Sequence, residues 1–484
     1  MIYMYINTHD YENDVRVMTQ AFYPGEKIII DEACEKECLL GIRVTVNKEF
    51  CDETVLVSVS SENTIKEVQW KTEGADKKRT RNRLKRELYG IFSGLTGKKL
   101  PWGTLTGIRP VKIPMKMIED GYKDGEITEE LKNEYLVSNK KANLSLSVAH
   151  KEHQILSGTD YENGYSLYVG IPFCPTTCLY CSFTSYSLGI WKDRVDDYLE
   201  ALFKELDFLS ELLSHRKPDA VYIGGGTPTT LLPHQLDRLF THIENRFDLS
   251  GILEYTVEAG RPDSIDKDKL TVIKDHGIDR ISINPQTMNQ ETLDLIGRRH
   301  TTGQIKDAFT LAREFGFGNI NMDIIIGLPG EGKEHVKHTL EEIGTLNPDS
   351  LTVHSLALKR AAALNIFKDK YSSFKMENTD SIIDMTHDFA ISHNMEPYYL
   401  YRQKNMAGNF ENVGYAKPGK AGVYNILIME EKQSIFAAGA NAQSKIVFNK
   451  ENRVERIENV KDVSSYIDRV DEMIERKRKF FYYR

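Results

Sequence analysis

Two rhythms of apolar and polar positions divide the chain. Over residues 1 to about 70, β-branched apolar runs such as EKIIIDE, LLGIRVTVN and ETVLVSVSS are broken by Gly, Asp, Asn and Ser. That pattern predicts short strands punctuated by turns. In the basic stretch 77–95, Leu84, Leu88, Ile91, Phe92 and Leu95 recur at three- and four-residue steps, which predicts one face of a helix. A Gly- and Pro-punctuated loop, GKKLPWGTLTGIRPVK, follows, and a polar, more helical stretch runs to about residue 155.

From residue 165 the pattern alternates strand and helix. Strands are expected at SLYVGI (166–171), DAVYIGG (219–225), LEYTVEA (253–259), DRISIN (279–284), NINMDIIIG (319–327) and SLTVHSL (350–356). Helical patterns such as VDDYLEALFKELDFLSELL and TTGQIKDAFTLAREFG lie between them. Such alternation implies an α/β fold: a parallel sheet with right-handed crossovers, helices on one side, curled into a barrel or part of one. In that architecture chemistry gathers where strands end and loops begin. The expected organisation is an N-terminal accessory region (1–160), the α/β barrel (161–372) and a C-terminal mixed α+β extension (373–484) that covers the substrate.

Bulk composition narrows the class. With 484 residues, 40% hydrophobic and 28% charged, the chain reads as globular. A net charge of −8 argues against a general nucleic-acid binder. No apolar run reaches membrane-spanning length, and the start MIYMYINTHDYEND has no basic flank followed by an apolar stretch, so a cytoplasmic location is expected. Of six cysteines, Cys174, Cys178 and Cys181 fall within eight residues, whereas Cys34, Cys38 and Cys51 read as ordinary reduced thiols.

The clustered cysteines carry the chemistry. In YVGIPFCPTTCLYCSF their CxxxCxxC spacing suits three corners of an iron–sulfur cube and leaves one iron open to a substrate. The alternatives are three plain thiols or a zinc knuckle short of a ligand. Further candidates end the successive predicted strands. IGGGTPT places Gly224, Gly225, Gly226 and Thr227 where a backbone can approach a ligand closely, or simply turn. Glu258 ends the third strand. Arg298 offers a fork suited to a carboxylate. Asp323 lies among apolar strand residues, where an unpaired carboxylate is costly, so a ligand hydroxyl or a salt bridge must answer it.

These motifs, in this order, resemble the radical S-adenosylmethionine superfamily. Within it the chain is similar to the oxygen-independent coproporphyrinogen III oxidase (dehydrogenase)-like family, in its Gram-positive variant with a long N-terminal region. The resemblance is close over about 165–360 and looser in the tail, where YYLYRQKNMAGNFENVGYAK (398–417) contributes. It implies a partial (β/α)6 barrel and two cofactors, a [4Fe-4S] cluster and S-adenosylmethionine. It makes Cys174, Cys178 and Cys181 the cluster ligands, and Tyr180 an aromatic packed near the adenine. Tyr168 lies near bound S-adenosylmethionine. The backbone edge of Gly225, Gly226 and Thr227 meets the methionine amino group. Glu258, Gln286 and Arg298 contact S-adenosylmethionine, and Asp323 meets the ribose.

The implied reaction cleaves S-adenosylmethionine with an electron from the cluster. The 5′-deoxyadenosyl radical takes hydrogen from the β-carbon of a propionate, carbon dioxide leaves, an electron passes to an acceptor and a vinyl group forms. Two such events turn coproporphyrinogen III into protoporphyrinogen IX in haem synthesis. The implied partners are a porphyrinogen and an electron donor and acceptor of unstated identity, with no membrane and no nucleic acid. Two positions depart from the well-matched dehydrogenases: Gly170 stands where they carry a histidine, and Phe183 where they carry a further cysteine. A related branch that lacks that cysteine traffics haem, so a haem chaperone is an alternative.

A radical enzyme acting on RNA is a second alternative. It would use the basic stretch Lys77, Lys78, Arg79, Arg81, Arg83, Lys85 and Arg86, whose plainer reading is a solvated helix face. Arg109, His354, Lys359, Arg402 and Lys404 are further positions that could face an anionic substrate or serve as plain anchors.

Overall fold

A computed structural model describes residues 1–30, 39–49, 52–61, 64–72, 74, 76–181, 185–357, 363–366, 376–403 and 410–482. Cys34, Cys38, Cys51, Phe183, Lys359 and Lys404 lie outside the described residues. The chain forms two compact units, Met1–Ser147 with Arg402–Phe410, and Val148–Tyr401 with Glu411–Arg484.

The first unit is built on a five-stranded sheet. Its strands are β1 (Ile2–Ile6), β2 (Ile28–Ile30), β3 (Leu40–Glu49), β4 (Asp52–Ser61) and β5 (Thr64–Thr72), in the order β2-β1-β3-β4-β5. β1 runs parallel to β2 and β3, and β3, β4 and β5 form an antiparallel meander. One strand face of β4 is buried at every second residue, as a half-covered sheet requires. The expectation of strands alone over 1–70 is corrected by a helix, Glu12–Phe22, which buries Val15, Met18, Thr19 and Phe22. Those positions are spaced for a helical face, but only three are apolar, so the surrounding strand signal masks them.

The basic stretch forms the helix Lys77–Thr96. Asp76 caps it, accepting from the backbone N–H groups of Lys78 and Arg79. Leu84, Leu88 and Phe92 join the sheet's core. Much of its charge is paired inside this unit. Arg81 meets Asp14 at 2.8 Å, Lys77 meets Asp10 at 3.2 Å, Arg83 lies 3.7 Å from Glu87, and Arg86 pairs with Glu134. Such pairs add ~0–1 kcal/mol each and leave less free charge for an anionic partner than the sequence suggests.

The second unit carries one eleven-stranded sheet and one two-stranded ribbon. The central strands are β6 (Tyr165–Ile171), β9 (Pro218–Gly225), β10 (Glu254–Glu258), β11 (Arg280–Ser282), β12 (Asn319–Ile326) and β13 (Ser350–Ser355). Each is parallel to its neighbour, and all six coincide with the runs expected from sequence. The short strands β7 (Phe173–Cys174) and β8 (Tyr186–Ser187) form the ribbon. Intervening helices follow the expected periodicity. Thr301, for example, caps Thr302–Glu314 in a reciprocal pair with Gln304.

The C-terminal residues extend both sheet edges. β14 (Glu396–Tyr401) and β15 (Asn412–Ala416) are antiparallel to each other, and β15 pairs with β13. β16 (Ile435–Ala438) pairs parallel with β6, followed by β17 (Gln443–Phe448) and β18 (Arg453–Glu458). The sheet is therefore an open, partial barrel with β14 and β18 at its edges. Among the described residues no helix is long and apolar enough to cross a membrane.

Candidate active site

The cysteine loop leaves the carboxyl end of β6. Pro172 breaks the strand, and β7 delivers Cys174. The loop is tied down by its own backbone. Leu179 N–H donates to the Ile296 carbonyl at 3.0 Å, and Cys181 N–H donates to the Cys178 carbonyl at 3.1 Å. Thr176 Oγ1 donates to the Gly297 carbonyl at 3.1 Å. None of the three cysteines is in a disulfide; Cys178 is buried, and Cys174 and Cys181 are half-buried.

Burial, aided by the Cys181 and Cys178 charges and opposed by the Thr227 hydroxyl at 3.5 Å and by Arg261, leaves the Cys174 thiol pushed up to about 11. Burial thus disfavours a bare thiolate at Cys174, and a bound metal cation, which deprotonates its sulfur ligands, would reverse that balance. Among the described residues no three His, Cys, Asp or Glu side chains close on a single ion.

The glycine turn after β9 packs directly on this loop. Gly226 N–H donates to the Ile171 carbonyl and Thr227 N–H to the Phe173 carbonyl, both at 2.7 Å. A Cβ at Gly226 would sit 2.6 Å from the Phe173 carbonyl oxygen, and Gly225 has φ +113°. Both positions exclude side chains, one sterically and one by backbone conformation. Gly224 lies so close to Glu258 that a Cβ there would meet the carboxylate at 2.9 Å.

Glu258 ends β10 beneath that turn. Its carboxylate accepts from the Tyr222 hydroxyl at 2.6 Å and from Gly225 N–H at 3.2 Å. Tyr222 stacks on Tyr424 at 4.4 Å between centroids and on Tyr168 at 6.3 Å. Burial lifts the Glu258 carboxyl to about 7; the Tyr222 bond pulls it down and the Asp323 charge pushes it up. A carboxyl raised in the folded state stabilises the fold while neutral. That contribution is complete below the ordinary 4.5 and is lost as pH rises through about 7. Urea unfolding across this window is expected to show stability falling with pH in the wild type and a flatter profile in Glu258→Gln.

Opposite Glu258 lie the residues that follow β11. Arg298 donates to the carbonyls of Asn284 at 2.5 Å and Gly260 at 3.4 Å. Burial opposes its charge, but Tyr180 and Cys178 outweigh burial and raise its pKa. Burial likewise raises the Tyr180 hydroxyl. Ser282 Oγ, Asn284 Oδ1 and Arg298 Nε are buried without a hydrogen-bond partner among the described residues. Buried polar atoms are ordinarily satisfied, so three orphans on one segment mark a place for a polar ligand.

Gln286 adopts φ +66° and bridges β12. Its N–H donates to the Asp323 carbonyl and its own carbonyl accepts from Ile325 N–H, both at 2.9 Å. Asp323 accepts from Asn321 Nδ2 at 2.7 Å and lies 3.7 Å from His354 Nε2. Burial works to raise the Asp323 carboxyl, but His354, Asn321 and Thr352 together bring it below its ordinary value. The salt-bridge alternative considered from sequence involved an Arg or Lys; the neighbour found here is a histidine. Tyr401 in turn contacts His354 Nδ1 at 3.4 Å.

Most of the twelve residues singled out from sequence lie within hydrogen-bond or electrostatic reach of another. Thr227 touches Cys174, Tyr168 and Glu258 flank Gly225, the Asp323 charge reaches Glu258, and Arg298 links Tyr180 to Cys178. Sequence reasoning missed Tyr222, Asn284, Tyr424 and Arg261, because each looks like an ordinary strand or loop residue until the fold turns it inward. Arg402 sits in the first unit, buried beside Trp102 and donating to the Leu105 carbonyl.

A parallel α/β sheet with a three-cysteine loop at the end of its first central strand defines the radical S-adenosylmethionine class. The Radical SAM superfamily model matches residues 168–343. That superfamily's cofactors are a [4Fe-4S] cluster and S-adenosylmethionine. The chain is 39% identical over 442 residues to the oxygen-independent coproporphyrinogen-III oxidase-like protein HemZ of Bacillus subtilis, covering 89% of this chain and 88% of that protein. It is 31% identical over 310 residues to the haem chaperone HemW of the same organism, covering 63% and 76%. The structure of coproporphyrinogen III oxidase (HemN) from Escherichia coli superposes with a TM-score of 0.53 at 25% identity, covering 66% of this chain and 72% of that one. The chain belongs to the oxygen-independent coproporphyrinogen III oxidase-like family of radical S-adenosylmethionine proteins.

Proposed function

We propose that this chain is a cytoplasmic oxidoreductase that converts coproporphyrinogen III to protoporphyrinogen IX by oxygen-independent oxidative decarboxylation of two propionates. The observation that carries this reading is similarity to an oxidase-like relative across nearly the whole chain, accessory region included. Cys174, Cys178 and Cys181, as thiolates, hold three irons of the cluster. When bound, the cluster and S-adenosylmethionine together supply one-electron bond cleavage and hydrogen-atom abstraction. Glu258, once ionised, receives the ligand's ammonium or hydroxyls. Arg298 presents its unpartnered Nε to the methionine carboxylate. Asp323 accepts from the ribose, Gln286 holds the backbone beside it, and Tyr168 and Tyr180 pack around the nucleoside. The Gly225–Thr227 edge meets the amino group. A porphyrinogen, an electron donor and an electron acceptor complete the reaction.

One feature favours a second reading, a haem chaperone on the same scaffold. A Cβ on Gly170 would already lie 3.4 Å from both the Ala438 carbonyl and the Tyr168 ring. Those are ordinary contact distances, so the difference lies in the missing imidazole itself: Gly170 stands where the well-matched dehydrogenases carry a histidine, and substrate handling differs accordingly. Anaerobic incubation of reconstituted protein with S-adenosylmethionine, a reductant and coproporphyrinogen III separates the readings. Vinyl-bearing product with 5′-deoxyadenosine supports the oxidoreductase. Stable haem binding without product supports the chaperone.

The ribose role of Asp323 has its own test. Asparagine keeps the contacts with Asn321 and Thr352 but removes the charge. Asp323→Asn is expected to weaken S-adenosylmethionine binding roughly 10- to 100-fold in equilibrium dialysis, the value of a charge-assisted bond. The melting temperature should move little. A large melting shift with unchanged binding would mean that the carboxylate serves the fold alone.

A further inference from the structure

Arg261 follows β10 by three residues, and its side chain is only 4% exposed. Nε and Nη2 donate to the two carboxylate oxygens of Asp263, each at 2.9 Å. The fully buried His300 stands near that carboxylate, its Nδ1 3.6 Å away. A planar fork gripped on one side can turn only its remaining nitrogen outward. Nη1 therefore faces the cysteine loop. It donates to Thr176 Oγ1 at 3.1 Å and to the Thr176 carbonyl at 3.3 Å, and it lies 3.7 Å from Cys178 Sγ.

Anchoring the loop at Thr176 needs only a neutral donor. Asp263 answers the guanidinium's charge, but a buried ion pair gains the fold little over a neutral one, so stability alone does not account for an arginine here. An N–H and a positive charge at a thiolate that ligates iron favour the more negative, reduced state of the cluster. We propose that Arg261 is a positioning residue that sets the cluster's reduction potential, donating from Nη1 to the Cys178 sulfur and making the cluster easier to reduce. Asp263 fixes the direction of that donation by gripping Nε and Nη2. Arg298 also acts on Cys178 electrostatically, but the hydrogen bond to Sγ comes from Arg261 Nη1. The inference rests on Cys178 being a cluster ligand.

The test is a redox titration, followed by electron paramagnetic resonance, of the full-length, anaerobically reconstituted protein without porphyrinogen or S-adenosylmethionine. Arg261→Gln should hold its iron and sulfide and show a midpoint potential shifted to more negative values. Arg261→Lys, which keeps a charge but loses the fork, should shift in the same direction by less. An unshifted or raised potential in Arg261→Gln at full iron content overturns the proposal; should that variant alone lose its iron, the same outcome in loaded Arg261→Lys overturns it. Loss of iron from both variants overturns it too, since Arg261 would then be an anchor of the loop. If instead Cys178→Ser keeps all its iron, the ligand assignment falls and the inference falls with it. A loaded wild type beside an unshifted Arg261→Gln sinks only the inference.

Discussion

Cys178→Ser is expected to abolish the brown absorbance of the reconstituted cluster and reduce bound iron to near zero, while the chain stays folded. Serine matches cysteine in shape, so the buried position keeps its packing. The turn that Cys178 shapes is held by backbone, through its carbonyl to Cys181 N–H and through Leu179 N–H to the Ile296 carbonyl. Neither bond needs the sulfur. What the variant loses is the soft, readily ionised ligand that iron requires. Iron and labile sulfide analysis beside circular dichroism separates the two effects. Full iron content in this variant would remove Cys178 from the ligand set.

The second large effect concerns stability. Glu205 and Lys477 are almost wholly buried, at 0% and 1% side-chain exposure, and meet at 2.6 Å. Glu205 also accepts from Asn459 Nδ2, the Tyr466 hydroxyl at 2.5 Å and Gly439 N–H at 2.9 Å. Lys477 donates a further bond to Asn459 at 2.8 Å. Removing one partner of such a pair strands a charge in a medium that solvates it poorly. Lys477→Met is therefore expected to cost about 3–5 kcal/mol in urea unfolding. Adding Glu205→Gln should recover part of that loss, because the remaining donors then face a neutral amide.

This network also bears on the active site. Gly439 follows β16 against the first central strand, where a Cβ would press within 2.6 Å of the Gly170 carbonyl and 2.7 Å of the Tyr198 hydroxyl. Tyr198 donates to that same carbonyl at 2.6 Å. The backbone just before the cysteine loop is thus fixed from the C-terminal side of the chain. A lysine seven residues from the end of the sequence helps hold the strand that launches the cysteines.

Much of this was legible in residue order. The six central strands declare themselves by β-branched runs bounded by Gly, Asp and Asn, and the helix Val195–Leu212 by its three- and four-residue apolar steps. CxxxCxxC, the glycine turn, Glu258, Arg298 and Asp323 sit at strand ends that the same pattern locates. The helix Glu12–Phe22 was harder, because its buried face includes Thr19 and its neighbours on both sides read as strand.

Local periodicity determined the elements, their order and the spacing of three thiols, because each depends on residues only a few positions apart. Tertiary structure alone decided which distant groups meet. It brings Arg261 to Cys178 across 83 residues, Glu258 to Tyr222 across 36, and Lys477 to Glu205 across 272. It also seats β16 beside β6, although nothing periodic distinguishes that edge from the other. Such meetings follow from packing helices and loops onto one twisted, open sheet, where buried charges must find partners, and a one-dimensional pattern carries no record of that packing.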